Sequence, residues 1–167
     1  MNGMIKWIDR WSERDQKMFC VINRQWRRQR LDRFMQGITY FGGATFTLSC
    51  SIALILFLSP PWSAIGWKCL VAVFLTHLPV QCLKKVYPRQ RPYRVLPHVF
   101  TCKNPLEDHS FPSGHTTAVF ALTTPLWLSV PSLGLILIPL SICVGLSRIY
   151  LGLHYPSDVV CGALIGL

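Results

Sequence analysis

Beyond its N-terminal region, the chain gathers most of its polar chemistry into three short segments. The first is Lys84-Lys85-Val86-Tyr87-Pro88-Arg89-Gln90-Arg91-Pro92. The second is Pro112-Ser113-Gly114-His115, and the third runs from Ser147-Arg148 through His154 to Asp158. Lys84, Arg91 and Arg148 offer three cations, and an arginine fork matches phosphate oxygens in geometry. Ser113 and Gly114 stand where an apolar run begins. At a helix start, free backbone N–H groups and the positive end of the dipole favour an anion, and Gly114 lets a ligand approach the backbone closely. His115 and His154 can each donate or accept a proton, and a neutral His154 can also attack phosphorus. Asp158 follows His154 by four residues, a spacing that on a helical turn places it on the same face, able to hold one imidazole nitrogen. The pair follows the logic of a base and its orienting group in a catalytic triad.

Each of these residues also has a plainer reading. A histidine near a helix end is commonly a satisfied polar group. Lys84, Lys85 and Arg148 read equally well as anchors that hold helix ends among headgroups. Lys85, Arg89, Arg94 and Lys103 lend positive potential to a loop, and Glu107, Asp108 and His109 cap or position the second segment. His77 lies midway along an apolar run with no charged partner in sequence, and is expected to hydrogen-bond to a neighbouring helix. No carboxylate cluster and no Cys/His spacing typical of metal ligands accompanies the phosphate residues, so neither a metal nor another cofactor is expected. The seven cysteines are odd in number and contain no C-x-x-C pair, which argues against a zinc site or a disulfide framework.

The elements that must position these residues are apolar. The 167 residues suffice for one domain, 51% of them are hydrophobic and 14% charged, and the mean hydropathy is +0.35. Soluble domains carry about 25% charged residues, so the deficit points to a membrane. The net charge of +10 is unevenly placed, with nine of the 17 Lys and Arg before Phe34 and six between Lys84 and Lys103. Long charge-free stretches between the basic clusters argue against nucleic acid as a partner. Anionic headgroups are the natural partner of Arg24, Arg27, Arg28, Arg30 and Arg33, and a solvated surface loop accounts for the cluster equally well.

No charge occurs between Arg33 and Lys68 or between Thr116 and Ser147. Pro60-Pro61 divides the first stretch and Val130-Pro131-Ser132-Leu133-Gly134 the second, giving helices over residues 38–58, 64–83, 113–129 and 133–150. Each is near the roughly 20 residues that cross a bilayer. A fifth helix begins near Pro156 and is still apolar at Leu167, which reads as an incomplete last span. The first residues show no signal-peptide pattern. Met4, Trp7, Ile8 and Trp11 follow helical spacing, with charges on the other faces, and read as an amphipathic helix in the membrane interface or packed on the protein's own membrane domain. The expected fold is therefore all-α: a polytopic membrane helical bundle of about five transmembrane helices plus an N-terminal interfacial helix. Residues 1–36 form the basic amphipathic segment and 37–167 the membrane domain. If the helices alternate direction, the three polar segments emerge on one membrane side.

The three segments stand as K-x6-R-P, P-S-G-H and S-R-x5-H-x3-D, and this pattern resembles the signature of the type-2 phosphatidic-acid phosphatase and vanadium haloperoxidase superfamily. No motif residue or spacing departs from it. Ile22-Asn23 and Leu31-Asp32-Arg33-Phe34-Met35 also resemble the lead-in of small bacterial members. The resemblance implies an enzyme of the bacterial plasma membrane that hydrolyses a lipid phosphate, with undecaprenyl diphosphate, phosphatidylglycerophosphate and phosphatidic acid as candidate substrates. It implies His154 as nucleophile, Asp158 as its orienting group, His115 as proton donor to the leaving oxygen, and Lys84, Arg91, Ser113, Gly114 and Arg148 as phosphate ligands. It also implies an active site facing outward, whereas the N-terminal net charge of +5, from nine basic and four acidic residues before Phe34, favours a cytoplasmic N-terminus and a cytoplasmic site. A peroxidase of that superfamily would be soluble, which the apolar helices oppose. The rival from another class is a non-catalytic phospholipid-binding membrane protein, for which His115, His154 and Asp158 would be unnecessary.

Overall fold

The computed structural model describes residues 12–102 and 105–167, in which helices are the regular elements and no strand occurs. Residues 12–20 form α1, which loosens into a wider turn at Val21–Gln25. Then follow α2 (Gln29–Ile38), α3 (Ala44–Phe57), α4 (Trp62–Val86), the single turn α5 (Pro92–Val95), α6 (Gly114–Ser129), α7 (Gly134–Tyr150) and α8 (Pro156–Gly166). The all-helical class is as expected, and α3, α4, α6, α7 and α8 correspond to the five apolar runs. The amphipathic pattern at Met4, Trp7, Ile8 and Trp11 lies outside the described residues, as does Lys103.

The central element is α6. Its apolar and small residues run round the whole circumference, as befits a helix covered on all sides, and it packs against α3, α4, α7 and α8. Two of its buried threonines turn their hydroxyls back onto the helix: Thr117 donates to the Ser113 carbonyl at 3.1 Å and Thr123 to the Val119 carbonyl at 2.9 Å. The polar groups are thereby satisfied without water. The outer helices present large apolar side chains to the surroundings, with Phe57 and Leu135 each 82% exposed, a surface suited to hydrocarbon.

Among the described residues two helical stretches are long and apolar enough to cross a bilayer, Trp62–Val86 with 25 residues and Pro131–Tyr150 with 20. The helix expected over 38–58 is not continuous. The chain bends by 55° between Gln29–Gly42 and Ala44–Phe57, and counting this pair as one broken span makes three. The cause is Gly42-Gly43. Gly43 is extended, with ψ 145°, and a Cβ on Gly42 would stand 2.6 Å from the His115 carbonyl oxygen. The bend lets the chain press against the first turn of α6. At 16 residues, α6 reaches about 24 Å of the roughly 30 Å hydrocarbon core.

The N-terminal region is tied to the same core. Phe19, Ile22, Met35 and Ile38 are buried with Val119, Val144 and Tyr150. The Asn23 amide donates to the Phe100 carbonyl at 2.8 Å and the Tyr150 carbonyl at 2.7 Å, and its oxygen accepts from the Phe100 N–H at 3.0 Å. Asp32 accepts from the Tyr150 hydroxyl at 2.5 Å. The basic segment thus clamps the end of α7 that carries Arg148.

Candidate active site

The three polar segments converge at one end of the bundle. Lys84 sits on the last turn of α4, which runs three residues beyond the expected end. Arg91 is the residue before α5, Ser113 the residue before α6, and Arg148 lies in the last turn of α7. His154 lies in the turn between α7 and α8. That turn is made by Gly152, whose φ of +75° suits only glycine. The Arg148 carbonyl fastens it by accepting from the N–H groups of Leu153 and His154 at 3.1 and 3.2 Å.

Arg91 organises the centre. It is 1% exposed. Its Nη1 donates to the Leu153 carbonyl at 2.8 Å and lies 3.0 Å from His154 Nε2. A guanidinium N–H only donates, so Nε2 carries the ring's lone pair and Nδ1 its hydrogen. Nδ1 lies 3.6 Å from Asp158 Oδ2 and has no closer polar partner among the described residues. Burial pushes the His154 pKa down to about 4, with Asp158 opposing and Arg91 and Arg148 adding to the shift, so the ring is neutral at pH 7. The expected basis for the His154–Asp158 approach needs correction. The two do not share a helical turn: His154 precedes α8, and Asp158 is the third residue of that helix, where Oδ2 caps it by accepting from the Tyr155 N–H at 2.9 Å.

Two ion networks flank this core, and neither is legible in the sequence. Asp108 accepts from Lys84 Nζ and, at 2.6 Å, from Arg91 Nη2, while its carbonyl accepts from Arg91 Nε at 2.7 Å. Burial opposes ionisation of Asp108, but the hydrogen bonds from Lys84 and Arg91 outweigh it and bring its pKa to about 2. On the other side Arg89 donates to Asp158 Oδ1, Ser157 Oγ and Asp15 Oδ2, each at 2.7 Å, and lies 3.9 Å above the Tyr155 ring. Asp15 completes the link by accepting from the Ser157 N–H at 2.9 Å. Arg89 therefore holds the carboxylate that faces His154. No local pattern marks either network, because Asp15 and Asp108 meet partners far away in sequence.

The remaining residues divide. Lys84, Gly114 and His115 line a cavity of about 440 Å³ between α3, α4 and α6. A Cβ on Gly114 would meet only Val80, at 3.9 Å, so the helix start is open on the cavity side. The first turn of α6 has no side-chain cap, and its N–H groups are oriented for an anion. Arg148 is 3% exposed, donates from Nη1 to Thr39 Oγ1 at 2.7 Å, and keeps a buried Nε without a partner among the described residues. Ser113 is turned away: its hydroxyl pairs with Thr116 Oγ1 at 2.9 Å and its N–H donates to the Asp158 carbonyl at 3.0 Å. It braces α6 against α8 rather than presenting a free donor.

Buried cations, a buried histidine and an uncapped helix start stand together at one end of a helical membrane bundle, a site suited to an anion. Residues 65–167 match the PAP2 superfamily, and the chain belongs to that superfamily. It is 32% identical over 97 residues to the bacitracin transport permease protein BcrC of Bacillus licheniformis, covering 58% of this chain and 48% of that protein. It is 33% identical over 108 residues to lipid A 1-phosphatase of Rhizobium etli, covering 62% and 47%. With undecaprenyl-diphosphatase of Sulfolobus acidocaldarius the identity is 34% over 89 residues, covering 50% and 41%. The chain spans about half the length of these curated relatives. Among solved structures, Aquifex aeolicus LpxE superposes with a TM-score of 0.80 at 32% identity, covering 90% of this chain and 88% of that one. The first transmembrane PAP2-type phosphatidylglycerolphosphate phosphatase from Bacillus subtilis superposes with a TM-score of 0.76 at 26% identity, covering 93% and 80%.

Proposed function

We propose that this protein hydrolyses a lipid phosphate or diphosphate through a phosphohistidine formed on His154. The observation that carries the reading is the buried His154 ring, its Nε2 facing Arg91 and set among the buried cations Arg91 and Arg148. A transferring phosphoryl group finds its charge matched by Lys84, Arg91, Arg148 and the first turn of α6. Nε2 forms the bond to phosphorus while the bond to the leaving oxygen breaks, and His115 delivers a proton to that oxygen. Water then cleaves the P–N bond, His115 takes its proton, and inorganic phosphate leaves. Asp158 faces the Nδ1 hydrogen and stabilises the cation that forms on attack. The apolar cavity beside Lys84 and His115 receives the adjoining hydrocarbon. The activities for which the relatives are named, on lipid A, undecaprenyl diphosphate and phosphatidylglycerolphosphate, agree with this class of substrate.

The test is phosphate release from a panel of undecaprenyl diphosphate, phosphatidylglycerophosphate and phosphatidic acid, with and without EDTA. Among the described residues no group of three His, Cys, Asp or Glu is placed to hold a metal ion, and the three cations do the electrostatic work of one. Activity is expected to persist in EDTA. Loss there with recovery on adding a divalent ion would refute the metal-free mechanism.

Arg89 enters this reading as a positioning residue. Arg89→Met removes the donor to Asp158 Oδ1 while keeping an apolar side chain over Tyr155. Groups that orient a reactive side chain typically matter by about 10–100-fold. The loss is expected in kcat with KM changing little, and Arg89→Lys is expected to restore part of it. A fall in thermal stability with kcat intact would make Arg89 merely structural.

The site is further proposed to face the outer side of the plasma membrane, where the lipid carriers of such enzymes are recycled. A single cysteine at Leu106, in a background without the seven native cysteines, is expected to react with an impermeant thiol reagent on intact cells. Labelling only after permeabilisation would place the site in the cytoplasm.

A further inference from the structure

The cavity beside the site is not uniformly apolar. His77, Gln81 and Lys84 follow one another along α4 at intervals of four and three residues, a single helical face, and all three line the cavity. Opposite them stand Ala44, Thr47 and Leu48 of α3. The hydrogen bond to a neighbouring helix expected of His77 is not formed. Among the described residues the side-chain hydrogen bonds of α4 are made by Cys69, Thr76 and Lys84, not by His77 or Gln81, and both of the latter are exposed to the cavity.

Their depth makes this unusual. Gln81 lies one turn from Lys84 and His77 two turns, so the polar face runs about 10 Å from the phosphate end into the bilayer. A ring N–H and an amide facing hydrocarbon without a partner are costly, and in a membrane such residues mark contact with a ligand. The ligand must therefore bring oxygen atoms to this depth. A polyprenyl chain brings none beyond its phosphate. An acylated glycerol phosphate carries ester oxygens only a few bonds from the phosphate and carbonyl oxygens just beyond, the acceptors that an amide and an imidazole N–H require.

We infer that His77 and Gln81 are specificity-determining residues that select acylated glycerol phosphates over polyprenyl phosphates. The inference rests on the lipid-phosphatase reading above and names the substrate class for that site.

The test compares two monoesters that share the same reacting group, dioleoyl phosphatidic acid and farnesyl phosphate, with purified full-length protein in micelles. Wild type is expected to have the higher kcat/KM on phosphatidic acid. In the double variant His77→Leu/Gln81→Leu the ratio of the two kcat/KM values is expected to fall about tenfold, mainly through KM on phosphatidic acid, as suits the loss of two hydrogen bonds to a substrate. Leucine is at home in hydrocarbon, and His77→Gln, which retains a donor, is expected to recover part of the ratio. An unchanged ratio, or a wild type that favours farnesyl phosphate, overturns the inference. Thermal stabilisation of His154→Ala protein by the same two lipids reads selection without turnover. If wild type cleaves neither lipid, the phosphatase reading fails on its own. Preferential stabilisation by phosphatidic acid, lost in a background that also carries His77→Leu/Gln81→Leu, then still supports the selection, and equal stabilisation by both lipids ends it.

Discussion

Replacing His154 with alanine is expected to abolish turnover, by roughly 10⁴–10⁶-fold, the scale on which a nucleophile acting within a constellation is lost. The effect is large because the cations around the ring cannot take its place. Arg91, Arg148 and Lys84 are cations without a lone pair to offer phosphorus. Ser113 pairs with Thr116, on the far side of the first turn of α6. The substrate is still expected to bind, since the cations remain, and the turn that carries residue 154 is held by the Arg148 carbonyl rather than by the imidazole. His154→Asn supplies a second variant in which an acceptor for Arg91 is kept. Rapid quenching with phosphorus-labelled substrate is expected to trap label on the wild-type protein that is labile in acid and stable in alkali, as a phosphohistidine is, with none on either variant. Substantial turnover by His154→Ala, or label that maps to Ser113 or His115, would sink the covalent mechanism.

The residues proposed to act in this mechanism fall at fixed local spacings within three short segments, and the fold brings those segments to one end of the bundle. The elements carrying them were legible in the sequence. Charge-free runs bounded by proline and glycine mark α4, α6 and α7 to within a few residues, since a membrane excludes charge. What failed to show is long-range. Gly42-Gly43 lies inside the single helix expected over 38–58, and the bend it allows depends on the His115 carbonyl against which Gly42 packs. Asp108 and Asp15 look like ordinary loop and surface acids until the fold brings Lys84, Arg91 and Arg89 to them. His77 was misread because an apolar run says how deep a residue lies and not whether a helix or a cavity faces it. Ser113 shows the same limit from another side: its type and place suit a phosphate ligand, and nothing local signals that the packing of α8 against α6 engages both its hydroxyl and its N–H.

His115→Ala is expected to slow cleavage of a lipid phosphomonoester far more than cleavage of a lipid diphosphate. A monoester expels an alkoxide, which needs a proton as the bond to phosphorus breaks. A diphosphate expels a phosphate, stable as an anion. General acid catalysis contributes roughly 10²–10⁴-fold, so the difference between the two substrates is expected to approach that range. The setting of His115 suits the task. It lines the cavity with Lys84 and Gly114, the side on which the proposed mechanism places the departing lipid oxygen, with His154 on the opposite face of the phosphoryl group. An in-line displacement needs such a pair on either side of phosphorus. The backbone of residue 115 is also fixed independently of its ring, because its carbonyl meets Gly42, so alanine removes the proton donor and leaves the turn in place. The measurement is kcat/KM for wild type and His115→Ala on phosphatidic acid and on farnesyl diphosphate, each followed by phosphate release. A loss confined to the monoester assigns the proton to His115. Equal losses on both substrates would show that the ring serves chiefly to bind phosphate, and the leaving oxygen would then have to draw its proton from water in the cavity.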